Sequence, residues 1–144
     1  MVKMKNCFLK ILYIMLLLIM LFNSSGCNII SQKNAGCFIV ESESWFDDFT
    51  VRDDKVYIKC EVVLQNTTSD NQRIKMAAIC SEDVDAGLLK NEKVYAVDDN
   101  QKERVFVINA NSKQTFEDVV FLGEFGGKKI KNNRLLPRII LEII

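Results

Sequence analysis

Apolar and polar positions alternate most clearly over 56–65 (VYIKCEVVLQ), where Val56, Ile58, Cys60, Val62 and Leu64 interleave with Tyr57, Lys59, Glu61, Val63 and Gln65. A period of two sends one set to a buried face and the other to a mostly wet one, which predicts a strand. The following run, Asn66-Thr67-Thr68-Ser69-Asp70-Asn71, is rich in side chains that bond their own backbone and predicts a turn. Over 73–80, Ile74, Met76, Ala78 and Cys80 share one side, and Arg73, Lys75, Ala77 and Ile79 the other. This run and 56–65 are expected to form an antiparallel hairpin.

Alternation then breaks over 81–93 (SEDVDAGLLKNEK), where Ser81 is placed to cap a short turn of helix and Gly87 weakens a longer one. Strands are predicted at 94–97, closed by Asp98-Asp99-Asn100, at 104–108 and, after a polar turn at 109–113, at 115–122. The apolar stretch 119–122 has no clean alternation, as expected of a strand covered on both faces or carrying a bulge. The end of the chain, 137–144 (PRIILEII), predicts a strand running to the last residue, with Ile139, Leu141 and Ile143 on one face. Its lone Pro137 stands at the start, where a missing N–H is tolerated. Earlier, 37–40 and 49–51 read as strands joined through 41–48, with Trp45 and Phe46 inside the connection as a buried plug rather than an exposed anchor. About seven to eight short strands with no helical period describe an all-β antiparallel sandwich.

The front of the chain is organised differently. Lys3, Lys5 and Lys10 precede or border an unbroken apolar run at 11–22, followed by Asn23-Ser24-Ser25-Gly26, the three-part layout of a secretory signal. As a hydrophobic helix the run would rise about 18 Å, well short of the roughly 30 Å hydrocarbon core, so an uncleaved membrane anchor is the weaker alternative. The junction Ser25-Gly26-Cys27 resembles the end of a bacterial lipobox, with Ser24 where that pattern usually carries Leu. The resemblance implies cleavage before Cys27 and a diacylglyceryl group on its thiol; the alternative is an ordinary exported protein cut near Gly26. Two acyl chains hold a protein on a membrane stably where one holds it only reversibly. The organisation is then a lipoprotein signal peptide at 1–26, a lipidated cysteine and tether at 27–36, and a β-sandwich domain at 37–144.

Charge narrows the partners. Nineteen Lys+Arg balance nineteen Asp+Glu, so no global basic field points to nucleic acid. The distribution is uneven: 37–99 holds seven basic and fourteen acidic residues, whereas 126–144 holds Lys128, Lys129, Lys131, Arg134 and Arg138 against Glu142 alone. That basic end is either a solvated surface or a face for anionic headgroups or a wall polymer.

The absence of histidine from the chain removes imidazole-based triads and histidine zinc sites. Cys37, Cys60 and Cys80 lie too far apart for a Cys-x-x-Cys metal motif, and 123–127 (GEFGG) lacks the context of a phosphate loop. No cofactor and no enzymatic activity are expected. Carboxylates remain, as Glu41/Glu43, Asp47/Asp48, Asp53/Asp54 and two richer groups: Glu82, Asp83 and Asp85, and Asp98 with Asp99. A glycosidase would need two of them facing across a cleft about 5–10 Å wide. A weak calcium site would need the two richer groups to meet at one end of the sandwich; otherwise they are solvated loops. Cys60 and Cys80, both on apolar faces, read as core thiols, and as the pair that would close a disulfide if one forms. Asn66-Thr67-Thr68 matches a glycosylation acceptor but is read as turn chemistry.

The domain resembles the immunoglobulin-like sandwiches common in exported bacterial proteins, through the strand, polar turn, strand patterns of 56–79 and 105–121. The Cys, Trp, Cys order of antibody domains is not reproduced, because Trp45 precedes both Cys60 and Cys80. The expected function is that of a non-enzymatic lipoprotein on the outer side of the cytoplasmic membrane, binding a protein or a cell-wall component through loops or a sheet edge. The alternatives are an accessory or solute-binding lipoprotein of a transport, sensing or immunity system, and a small hydrolase using carboxylates alone.

Overall fold

A computed structural model describes residues 36–129 and 135–144, within which eight strands form: β1 (Cys37–Ile39), β2 (Trp45–Arg52), β3 (Lys55–Asn66), β4 (Gln72–Ile79), β5 (Lys93–Val97), β6 (Val105–Ile108), β7 (Ser112–Glu124) and β8 (Arg138–Ile143). A 3-10 turn at Glu41–Glu43 and one short helix, α1 (Ser81–Asp85), complete the described elements. The signal segment, Cys27, Lys131 and Arg134 lie outside the described residues. Among the described residues no helix is long and apolar enough to cross a membrane.

The alternation of 56–65 becomes burial: Val56, Ile58, Cys60, Val62 and Leu64 enter one core with Ile74, Met76, Ala78 and Cys80. Phe106, Ile108, Phe116, Phe121 and Leu141 fill the space between, with the Phe106 and Phe116 rings edge to face at 5.3 Å. Val63 is buried as well, against the expectation of a wet face; the Glu43–Lys113 ion pair (2.7 Å) reaches across β3 near it.

The expected hairpin between 56–65 and 73–80 does not form. β3 pairs with β1 and β2 on one edge and with β7 on the other, leaving β4 no edge to join. β4 instead crosses to the opposite layer and pairs with β5 and β6 on one side and β8 on the other. The step from β6 to β7 crosses likewise. Asn66 sits where the two crossings meet. Fully buried, it donates from Nδ2 to the carbonyls of Asp70 (2.8 Å) and Asn109 (3.0 Å) and accepts from the Thr68 N–H (3.0 Å) and hydroxyl (2.8 Å), so one amide ties the two turns together. Asn71 and Thr68 add further bonds between them, from the N–H groups of Ala110 and Asn111.

The two layers are joined through β5. Its first residues pair with β4 (Ala77 opposite Tyr95, Ile79 opposite Lys93) and its last with β7 (Ala96 opposite Phe121, Val97 opposite Val120). The sheet is therefore continuous, in the order β1-β3-β7-β5-β4-β6 with β2 added on β3 and β8 on β4, and it is nearly barrel-like. The all-β antiparallel reading holds.

Other differences are local. Trp45 and Phe46 lie inside β2, not in a connection, and β2 turns into β3 through Asp53 and Asp54, both at positive φ (52° and 55°), the mirror-image turn that matches strand twist. α1 starts after Cys80 rather than Ser81, whose hydroxyl donates to the Glu92 carboxylate. β8 begins after Pro137 and ends at Ile143, with Ile144 held by its N–H on the Arg73 carbonyl (2.9 Å). The stretch 119–122 pairs with β3 in regular register, with Val119 and Phe121 buried; the bulge of β7 lies just before it, where Val62 faces Phe116 and Cys60 faces Val119, so Glu117 and Asp118 together oppose one residue, with Asp118 at φ 53°.

Candidate functional site

Among the described residues the barrel closes through β5. On the other side the edge of β1 and β2 and the edge of β8 have no strand partner among the described residues, and a groove of about 560 Å³ runs between them. One wall is Ile39, Glu41, Ser44, Trp45 and Phe46; the other is Leu135, Leu136, Pro137, Arg138 and Ile139. The first wall exists because the chain breaks between β1 and β2. There Ser44 substitutes for a ladder residue, its hydroxyl donating to the Val40 carbonyl (2.9 Å) and accepting from the Val63 N–H (2.9 Å). The break lets Trp45 start β2 half exposed (50%), while Leu135 opposite is 87% exposed. The groove continues past Phe46 and Arg138 into a second hollow of about 500 Å³ floored by Ile58, Ile79 and Cys80 and rimmed by Glu82 and Asp83.

A second site lies on the outer face of the same layer. Both strands flanking β3 are bulged at the same level: Asp47 is the extra residue of β2, between Phe46 opposite Cys60 and Asp48 opposite Lys59, and Asp118 belongs to the bulge of β7. The two bulges aim their carboxylates at one ammonium, Lys59 Nζ, at 2.6 Å from Asp118 and 3.1 Å from Asp47. These hydrogen bonds hold Lys59 well above the ordinary lysine range. Desolvation, then the charges of Glu117 and Asp47, push the nearby Glu61 carboxyl up. Beside this triad a polar hollow of about 600 Å³ is lined by Arg52, Tyr57, Lys59, Val97, Asp98, Asp99, Gln101, Arg104, Asp118 and Val120. The Arg52 guanidinium lies 4.2 Å over the Tyr57 ring, and Arg104 lies 4.6 Å over Phe106 while donating to the Asp118 carbonyl (3.4 Å).

The structure does not bring the calcium candidates together. Glu82, Asp83 and Asp85 sit on α1, ahead of β5, and Glu82 and Asp83 face the groove; Asp98 and Asp99 follow β5 and face the outer hollow. Asp98 is engaged in its own turn, accepting from the N–H groups of Asn100 (2.9 Å) and Lys102 (3.0 Å). No described group of three or more carboxylate, thiol or imidazole side chains is placed to hold a metal. The carboxylates of Asp47 and Asp118 do converge, but on a lysine rather than across a cleft.

Cys37, Cys60 and Cys80 are buried thiols. Burial pushes the Cys37 thiol up, and Cys60, with Cys80 and Asp47 adding to the effect of burial, is pushed up to about 12. Trp45 and Phe46 form a rim rather than the expected plug, Trp45 outward and Phe46 against the core. Asn66 is closed to glycosylation by its four hydrogen bonds, and the glycines of 123–127 serve close packing: a Cβ on Gly123 would stand 2.5 Å from Leu89 Cδ2, and one on Gly126 2.4 Å from the Gly87 carbonyl oxygen. Arg52, Tyr57, Lys59 and Arg104 were missed as site residues. The parity of 56–65 does put Tyr57 and Lys59 on the wet face of β3, but nothing in the sequence marks the bulges that build walls around them. No family model, curated protein or solved structure matches this chain, so its site is read from its own residues.

Proposed function

We propose that this chain is a non-enzymatic lipoprotein of the cell envelope, held by diacylglycerol on Cys27 at the outer side of the cytoplasmic membrane, whose immunoglobulin-like β-body binds an extended segment of a partner protein in the open groove. The observation that carries this reading is a groove with an apolar floor between two strand edges that pair with no further strand among the described residues. A strand laid between them would run along both edges while its alternate side chains met Ile39, Phe46, Leu136 and Ile139. Trp45 and Leu135 at the rim supply the large, partly exposed apolar surface that anchors a partner. The lipid anchor rests on the order of basic, apolar and Gly-Cys segments before residue 28.

The test is site-specific photo-cross-linking in the full chain expressed in its envelope. Probes at Trp45 and Leu135 are expected to capture the same protein through an extended segment, and a probe at Val107, exposed on β6, is not. Equal labelling at all three positions, or none, would overturn the groove reading. Mass spectrometry of the mature N-terminus addresses the anchor separately: an unacylated Cys27 would end it. A second reading, an accessory protein that binds a small solute, is favoured by the outer hollow and is developed next.

A further inference from the structure

We propose that the outer hollow beside the double bulge binds a polyol phosphate, with Arg52 and Arg104 taking the phosphate and Asp99 and Gln101 the hydroxyls. Four acids and three bases stand at or near this surface, and the hydrogen bonds decide which of them are open. Lys59 is paired with both Asp47 and Asp118, and Asp98 accepts from two backbone N–H groups while keeping its charge. Together these groups carry one net negative charge, so an anion is favoured locally, at Arg52 and Arg104, and not by the hollow as a whole. Among the described residues neither guanidinium is within ion-pair distance of a carboxylate.

Both guanidiniums are nonetheless held in place, Arg52 over Tyr57 and Arg104 over Phe106 and against the Asp118 carbonyl. A guanidinium fixed by its face keeps its N–H edge for an oxyanion, and the planar fork fits phosphate better than an ammonium does. The opposite wall is polar and fixed too. Gln101, at φ 60°, donates to the Tyr57 hydroxyl (3.4 Å) and accepts from Lys55 Nζ, and Asp118 is at positive φ in mid-strand. Two non-glycine residues in the left-handed region, one on each side of the same hollow, are backbone held out of its relaxed geometry where the wall needs it. The volume of about 600 Å³ suits a small phosphorylated polyol.

The phosphate could belong to a soluble polyol phosphate or to an anionic lipid headgroup, and the experiment separates the two. The full chain is reconstituted in phosphatidylcholine nanodiscs, and the side-chain Nε–H signals of Arg52 and Arg104 are followed by NMR as glycerol 3-phosphate is added, with glycerol and sodium chloride of equal ionic strength as controls. Both signals are expected to move saturably with the phosphate ester alone. In Arg52→Gln and Arg104→Gln the affinity is expected to fall by roughly tenfold or more. Arg52→Lys keeps the charge, loses the stacked fork and is expected to weaken binding as well. In phosphatidylglycerol nanodiscs, signals already displaced before any addition would assign the site to the headgroup, and signals displaced only by the added ester would assign it to a soluble ligand. Shifts reproduced by salt, affinity unchanged in both glutamine variants, or no shift in either nanodisc would overturn the proposal.

Discussion

β5 and β8 lie on opposite edges of β4, and they end differently. β5 leaves β4 after Tyr95 and spends its last two residues on β7, closing that side of the barrel; β8, among the described strands, pairs with β4 alone. β5 (KVYAV) and β8 (RIILEI) are both short and mostly apolar, so the pattern does not decide. Side-chain size at the corner and the state of the facing edge do. Ala96, where β5 turns from one layer to the other, is small enough to lie flat against Phe121. Opposite β8 stand the Trp45 and Phe46 side chains and a bulge at Asp47, and β8 itself begins after Pro137, which has no N–H to offer. Bulky rims, a bulge and a proline are the devices that keep two edges from zipping together.

The largest effect should come from breaking the closed side. Phe121 is fully buried between the layers, so Phe121→Ala is expected to cost about 3–5 kcal/mol, read from denaturant unfolding. Trp45→Ala, on the open side and half exposed, should change stability by less than about 1 kcal/mol. Comparable losses would show that the groove is part of the core and not a vacant surface.

Asn66→Ala ranks next. It removes the amide that ties the turns 66–72 and 109–111 and leaves the Asp70 and Asn109 carbonyls short of a donor in a buried place, for an expected loss of about 2–4 kcal/mol. Asn66→Asp, which keeps the acceptor and loses both donors, should recover little of it. An alanine variant as stable as the parent would mean that the crossings are fixed by the core alone.

This crossing is where the sequence was least legible. Strand positions follow from alternation because burial has the period of the pleat, and Val56, Ile58, Cys60, Val62 and Leu64 lie where parity puts them, Val63 being the exception. Strand partners did not follow. A run of Asn, Thr, Ser and Asp announces a turn, but 66–71 reads the same whether the chain folds back onto its own edge or crosses to the other layer. The answer lies in β7, nearly fifty residues on, which takes the edge that β4 would have used. The candidate site is legible only in fragments: the pattern marks Trp45 but reads it into a connection, and it offers the carboxylates without the bulges that turn Asp47 and Asp118 toward Lys59.

A kinetic contrast should follow from the same geometry. With thiols pushed upward by burial, Cys37 and Cys60 are expected to resist alkylation at pH 8 in the folded domain and to react on unfolding in guanidinium. Cys80 is buried but lines the inner hollow of the groove, so a local opening there should expose it first. Peptide mapping after a short alkylation pulse checks the order. Labelling of Cys60 before Cys80 would place the weakest point of the barrel elsewhere.

The smallest expected effect concerns what holds β8 in place. Across β4, Glu142 of β8 accepts hydrogen bonds from Lys93 Nζ and from the Tyr95 hydroxyl (3.0 Å), both on β5. The Lys93 hydrogen bond, opposed in part by desolvation, holds the Glu142 carboxyl below the ordinary glutamate range, and the same bond raises Lys93. A carboxyl depressed in the folded state adds stability that is complete above its unfolded pKa and is lost as pH falls through the folded one; the raised lysine adds stability that fades only as pH rises through its own folded pKa. Glu142→Gln should therefore lower Tm slightly at neutral pH, with the gap to the parent closing on acidification and shrinking in high salt, because both side chains are over a third solvated or nearly so. A gap that persists at low pH would assign the effect to the Tyr95 hydrogen bond and not to charge. Photo-cross-linking through Leu135 in the same variant then tells whether the open side depends on β8 being held so: unchanged capture would mean that the β2 edge alone carries the partner.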